Sequence, residues 1–295
     1  MAIDDLELEV VREFDLIFQT IQSYLTRSPI TPSYKDALWG ALARFSPRQN
    51  ELSKSNLTIL LPLYSFQVCG GRGEFHREIS AAWYLFYLAA DLMDGVQDND
   101  LRLSYSSSAD SPAVWLNLAS GFFFIADALL VQLLDRKANI ESAQDILRAF
   151  QEKLLIMCDG QQQDLTQLET TLPDYLKMLE KKSGSFFSLA CYAGARMATN
   201  EADSLIRIAE YGSHVGKMIQ ILDDLEDWHQ LQKREFREIH LGKWRKTLPI
   251  LYTLDVLPDD EKDLFRKTLA AVETQPEEVG QLVDYIDRCG AAVYT

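Results

Sequence analysis

Gly216-Lys-Met-Ile-Gln-Ile-Leu-Asp-Asp-Leu-Glu-Asp-Trp228 sets three aspartates, Asp223, Asp224 and Asp227, inside an apolar, helix-patterned run. At about 3.6 residues per turn, Asp223 and Asp227 stand one above the other. Lys217, Gln220, Asp224 and Asp227 follow at steps of three, four and three, which predicts one polar face opposite Met218, Ile219, Leu222 and Leu225. A second acidic set, Asp91, Asp94 and Asp98, lies in the equally apolar stretch from Trp83 to Asp100. Carboxylates in such settings are costly to bury without a counter-charge. If the two stripes face each other, a hard divalent cation is the natural partner, because it takes oxygen ligands and leaves room for phosphate oxygens. Magnesium with a diphosphate is the expected pairing.

The rest of the chain is consistent with a helical enzyme. Apolar residues recur at three- and four-residue steps almost throughout the 295 residues, with no sustained period-two alternation. Breaks are expected at Ser28 to Pro32, Gly70 to Gly73, Ser104 to Pro112, Thr170 to Pro173, near Asn200, Lys233 to Lys246 and at Pro258. With 47% hydrophobic residues and no repeat or low-complexity linker, a single domain over 1–295 is the simplest organisation.

No stretch is read as a membrane span of about 20 apolar residues. The nearest, Gly121 to Leu134, is interrupted by Asp127 and Gln132 and reads as a buried helix. The acidic N-terminus lacks the pattern of a secretory signal, so a cytoplasmic protein is expected. Cys69, Cys158, Cys191 and Cys289 show no paired spacing and read as small core thiols. A net charge of −15 argues against nucleic acid, and an anionic substrate would need cations in the site.

Taken with their order, these motifs resemble the trans-isoprenyl diphosphate synthase (polyprenyl synthetase) family, whose members are all-helical bundles around a central cavity. Gln220 with Asp223-Asp224-Leu225-Glu226-Asp227 matches the family's FQIxDDxxD. Gly160-Gln161-Gln162-Gln163-Asp164-Leu165 resembles its GQxxDL, and Tyr175 through Lys182-Ser183-Gly184 its Yxx…KTG segment. Gly242-Lys243-Trp244-Arg245-Lys246-Thr247-Leu248-Pro249 is similar to GKxTLP with two extra residues, so Lys243, Arg245 and Lys246 compete for one role, with Lys243 and Lys246 ranked together.

The resemblance implies magnesium ions, three as a rule, held by Asp91, Asp94, Asp98, Asp223, Asp224 and Asp227. It assigns catalytic roles to Lys182, Gln220 and Asp223, and substrate binding to Gln161, Lys182, Ser183, Gln220, Lys243 and Lys246. It also implies an allylic prenyl diphosphate substrate and a homodimer.

Two departures bear on the reaction. Gly95 replaces the second aspartate of the first motif, while Asp94 and Asp98 keep positions one and five and Asp91 stands a turn earlier. The family's GGKRxRP and RRG motifs, which hold isopentenyl diphosphate, are reduced to Lys54 and Arg102. Losing bidentate guanidiniums removes the strong contacts to a diphosphate. The expectation is therefore transfer of the prenyl group to a non-standard acceptor of unknown identity, such as an indole, amine or peptide. Ordinary chain elongation, a class I terpene cyclase and a non-catalytic synthase subunit stay open as alternatives.

Overall fold

The computed structural model describes residues 3–44, 58–74, 76–98, 111–135, 140–167, 170–232, 246–272, 275 and 278–294. All regular structure among them is helical. The elements are α1 (Ile3–Arg27), α2 (Pro32–Arg44), α3 (Leu61–Val68), α4 (Arg77–Gln97), α5 (Pro112–Val131), α6 (Ile140–Thr166), α7 (Leu172–Leu179) and α8 (Ser185–Ala198). They continue with α9 (Ala202–Gln232), α10 (Leu248–Val256), α11 (Asp259–Ala271), α12 (Val279–Arg288) and α13 (Ala291–Tyr294). A 3-10 turn, Gln132–Asp135, extends α5, and a π turn, Glu180–Gly184, joins α7 to α8.

Proline explains several starts. A proline occupies the first or second position of α3, α5, α7 and α10, where its missing N–H costs nothing. The expected breaks near residues 28–32, 70–73, 170–173, 200 and 258 are present. Most of the 104–112 and 233–246 breaks lies outside the described residues.

The chain separates into two compact units, Met1–Lys153 with Phe187–Gly212, and Leu154–Phe186 with Ser213–Thr295. In the first, α1 buries Val10, Phe14, Ile17, Ile21 and Leu25, spaced as one helical face. α4 is apolar on nearly every side from Ile79 to Leu92 and is buried accordingly. α5 packs along it, and Phe86 meets Phe123 and Phe150 at ring-centroid distances of 5.5 and 5.4 Å. Together with its 3-10 extension, α5 is by length and composition alone long and apolar enough to cross a membrane. Trp115, Leu118, Phe122, Ile125 and Leu129 are nevertheless buried in this unit, as the core-helix reading requires.

Arg196 is buried near the end of α8. It donates to Asp145 Oδ2 at 2.8 Å and to Ser142 Oγ at 2.7 Å on α6, and also bonds Asn200. Of the cysteines, Cys191 is a core thiol, but Cys158 is exposed and Cys69 and Cys289 are partly so. The thiol of Cys158 sits on the outward side of α6, a choice its small size leaves open.

In the second unit, α10 to α13 gather around Trp228, Ile250, Phe265, Leu282 and Ile286. A smaller cluster of Tyr175, Met178, Leu179, Leu248 and Leu251 joins α7 to α10. Replacing Arg196 by Ala strips Asp145 and Ser142 of a charged partner. The expected loss is about 2 kcal/mol in urea unfolding, the scale of hydrogen bonds to a charged group.

Candidate active site

Asp224 is the buried member of its acidic cluster, with 7% of its surface exposed. Its Oδ2 accepts from Tyr175 Oη at 2.7 Å and from the backbone N–H of Leu248 at 2.8 Å. Gln220 adds a side-chain hydrogen bond. Burial pushes the Asp224 carboxyl up to about 7, against the lowering effect of these three bonds. Burial, and then the Asp224 charge, push the Tyr175 hydroxyl well above its ordinary range, so it stays a donor.

This placement corrects the single polar face expected on α9. Asp224 points into the cluster formed by α7 and α10, whereas Met218, expected on the apolar side, is half exposed. Consecutive residues diverge by about 100° around a helix. Asp223 therefore faces outward and Asp227 is half-buried. The buried stripe is one carboxylate.

The bond to Leu248 has a local cause. Leu248 opens α10, where the first amides have no intrahelical acceptor, and the Thr247 side chain makes no capping bond. A carboxylate borrowed from α9 satisfies that amide and suits the positive end of the helix.

The predicted phosphate-binding residues converge nearby. Lys182 Nζ donates to Asp164 Oδ2 at 2.8 Å, and Lys246 Nζ donates to the backbone carbonyl of the same Asp164. Ser183 Oγ donates to Gln220 Oε1 at 3.2 Å. Lys181 pairs with Asp159 at 2.8 Å and holds that carboxyl below its usual range. Glu180 accepts from Lys217 at 2.6 Å and from Ser213 at 2.8 Å. Burial acts to raise the Glu180 carboxyl, but these partners outweigh it and the net direction is down.

Lys182 and Ser183 lie in the π turn 180–184. Such turns are rare and cluster at functional sites. Helix α6 passes directly behind this turn at Gly160, where a Cβ would come within 2.5 Å of the Lys182 backbone nitrogen. Gln161 follows Gly160 and is half-buried on α6.

Lys243, with Arg245, Lys54 and Arg102, lies outside the described residues. Lys246 is therefore the described lysine that joins Lys182. Asp91, Asp94 and Asp98 run along the C-terminal part of α4 in the first unit, all half-buried, with Asp98 as the C-cap.

The sequence reading did not assign roles to Tyr175, Asp164 or the Leu248 amide. Tyr175 and Asp164 each sit inside a quoted motif, and a buried hydroxyl or a helix-face acid beside Lys182 was the available signal. An amide carries none.

The donors fit magnesium in kind. They are hard oxygen ligands, and α4 ends in carboxylates with no basic residue in its last turn, where the helix dipole already favours a cation. Among the described residues no cluster of three or more acidic, histidine or cysteine side chains is assembled to hold a metal alone.

The polyprenyl synthetase family model matches residues 111–286. The chain belongs to the polyprenyl synthetase family. It is accordingly a prenyltransferase-type enzyme. The match begins after the first aspartate cluster and includes the second.

The chain is 25% identical over 240 residues to the geranylgeranyl diphosphate synthase of Sulfolobus acidocaldarius, covering 78% of this chain and 72% of that one. It is 24% identical over 181 residues to the tryptophan prenyltransferase ComQ of Bacillus subtilis subsp. natto, covering 61% and 54%. Its fold is similar to that of a polyprenyl synthase from Caulobacter crescentus solved with calcium and isoprenyl diphosphate. The TM-score is 0.77 at 17% identity, over 99% of this chain and 86% of that one.

In a helix interior, Gly to Ala ordinarily stabilises by about 1 kcal/mol. At Gly160 the new Cβ meets backbone, which cannot rotate away. Gly160→Ala is expected to destabilise by about 1–3 kcal/mol in chemical unfolding, on the scale of overpacked cores.

Proposed function

We propose that the chain is a magnesium-dependent prenyl diphosphate synthase that ionises an allylic prenyl diphosphate and joins the prenyl group to isopentenyl diphosphate. The observation that carries this reading is the meeting of Lys182 and Lys246 on Asp164, beside the Ser183–Gln220 hydrogen bond. Two ammonium groups held on one residue form a preorganised cradle for a departing diphosphate. Preorganised charge of this kind is the main source of transition-state stabilisation.

The magnesium ligands are assigned to Asp91, Asp94 and Asp98 on α4 and to Asp223 and Asp227 on α9, with three ions as the family resemblance implies. When bound, magnesium polarises the diphosphate oxygens and stabilises the leaving group. Lys182 and Lys246 then donate hydrogen bonds to the phosphate oxygens, while Asp164 fixes where both lysines sit. Gln161, Ser183 and Gln220 orient the diphosphate by neutral hydrogen bonds.

The thinned basic motifs alone favour a non-standard acceptor over chain elongation. The similarity to the Sulfolobus synthase reverses that order. A second reading remains, transfer to an acceptor without a diphosphate, an indole for instance. It is supported by the thinned basic motifs at 52–59 and 101–104 and by the similarity to ComQ.

A homodimer is also proposed. Leu116, Phe124 and Val131 are exposed on α5, and Phe124 has 76% of its surface exposed, an unusual density of apolar surface for a monomer. One catalytic domain over 1–295 is proposed as well, since the family match, over residues 111–286, includes parts of both compact units.

Incubation with magnesium, geranyl, farnesyl or geranylgeranyl diphosphate and isopentenyl diphosphate is expected to give longer prenyl diphosphates, identified by mass. Diphosphate release only upon addition of tryptophan or a tryptophan-containing peptide would establish the second reading instead. Asp94→Ala and Asp223→Ala should abolish turnover, as should EDTA. Lys182→Ala should lower kcat by about 10²–10³, the cost of removing one preorganised donor. Full turnover by the two aspartate variants would refute the metal assignment.

A further inference from the structure

We propose that Asp224 is not a magnesium ligand but a positioning residue, a buried buckle that ties the lysine-bearing segments of the second unit to helix α9. The inference rests on the proposed magnesium–diphosphate reading of this face and redistributes the work within its aspartate motif.

The hydrogen-bond geometry makes the case. A carboxylate offers about four lone-pair directions. At Asp224, Tyr175 and Leu248 both donate to Oδ2, and Gln220 bonds the same carboxylate. The two donors fill the lone pairs of Oδ2, and the carboxylate as a whole is buried against Tyr175, Met178, Leu179, Leu248 and Leu251, so a metal ion with its own water shell would have to enter this cluster or displace the donors. Releasing them leaves the Tyr175 hydroxyl and the first amide of α10 unsatisfied in an apolar setting, which is the costly outcome for buried polar groups. Asp223 is exposed and Asp227 half-buried, a helical turn apart, so both are more open to solvent than Asp224.

What Asp224 holds explains why it matters to the site. Leu248 lies two residues after Lys246, and Tyr175 lies seven before Lys182, on the helix that leads into the π turn. Gln220, one turn before Asp224, accepts from Ser183 in the same turn. One carboxylate thus sets the position of both segments whose lysines meet at Asp164. Positions one and five of the motif serve metal, and position two serves architecture.

The test uses the full chain and the variants Asp224→Asn, Asp224→Ala, Tyr175→Phe and Asp223→Asn. Urea unfolding in EDTA reads the buckle without metal, and calorimetric titration of magnesium with inorganic diphosphate reads the ligand role. Asparagine keeps an oxygen for Tyr175 and Leu248, so Asp224→Asn should hold the wild-type urea midpoint and bind magnesium diphosphate within about threefold of wild type. Asp224→Ala and Tyr175→Phe should each lower the midpoint. Their double variant should fall by less than the sum, as for groups in one network. Asp223→Asn should keep the midpoint and lose about tenfold or more in binding, as losses at a metal site do.

If Asp224→Asn binds as poorly as Asp223→Asn at an unchanged midpoint, Asp224 is a ligand and the proposal is overturned. An unaltered midpoint for Tyr175→Phe overturns it too, and remains measurable should Asp224→Ala fail to fold. Absence of magnesium diphosphate binding by the wild type refutes the proposed function instead, and the unfolding series then decides the buckle alone.

Discussion

The carboxylate of Asp224 is the constraint around which the second unit is arranged. A helix that begins Thr247-Leu248-Pro249 has no side-chain cap of its own, and its first amide needs an acceptor. That acceptor lies 24 residues back on α9, and the same oxygen receives the hydroxyl of Tyr175, 49 residues away on α7. Burying a charge in a cluster of Tyr175, Met178 and leucines is unfavourable by itself. Three hydrogen bonds compensate for it, and they fix three helices to one point.

The same arrangement explains which parts of the molecule were legible in the sequence. Helix breaks were legible because proline and glycine act locally: Pro62, Pro112, Pro173 and Pro249 each stand at a helix start. Lys182, Ser183 and Gln220 stand out in the sequence because their spacing resembles a known pattern, and the structure brings Ser183 to Gln220. The inward turn of Asp224 was not legible. Periodicity says that two adjacent aspartates diverge, but only Tyr175 and Leu248 decide which one is covered. Lys246 is a similar case, since its partner is the backbone carbonyl of Asp164, 82 residues earlier, which no residue type announces. The exposed Met218 shows the converse: an apolar side chain obeys the helical period only where another element packs against it.

Charge is organised on the same principle. In a chain of net charge −15, three lysines of the second unit are held by acids of the same unit: Lys182 by Asp164, Lys181 by Asp159 and Lys217 by Glu180. The exposed pair at Lys181 contributes little to stability, as surface ion pairs do. The Lys182 pair is more enclosed, with side chains 15% and 28% exposed, and holds its ammonium in a defined place. These cations are therefore oriented by the protein's own anions, and under the proposed function little reorganisation is required as charge develops on a diphosphate.

The division of labour within the second aspartate motif changes how the first is understood. In Asp94-Gly95-Val96-Gln97-Asp98, glycine stands at position two, the position filled on α9 by Asp224. If position two works through hydrogen bonds to neighbouring elements, its loss removes an architectural contact and no metal carboxylate. Positions one and five are retained in both clusters, and α4 ends at Gln97 with Asp98 as its cap, so that cluster closes a helix where the dipole favours a bound cation. Gly95 then leaves the carboxylates that the proposed function assigns to metal in place. The divergence that bears on the reaction lies with Lys54 and Arg102, where the basic groups expected to bind a second diphosphate are thin. The acidic positions of the two motifs and the basic positions at Lys54 and Arg102 are separate in the sequence, so under the proposed function a change at one set leaves the other set's residues in place.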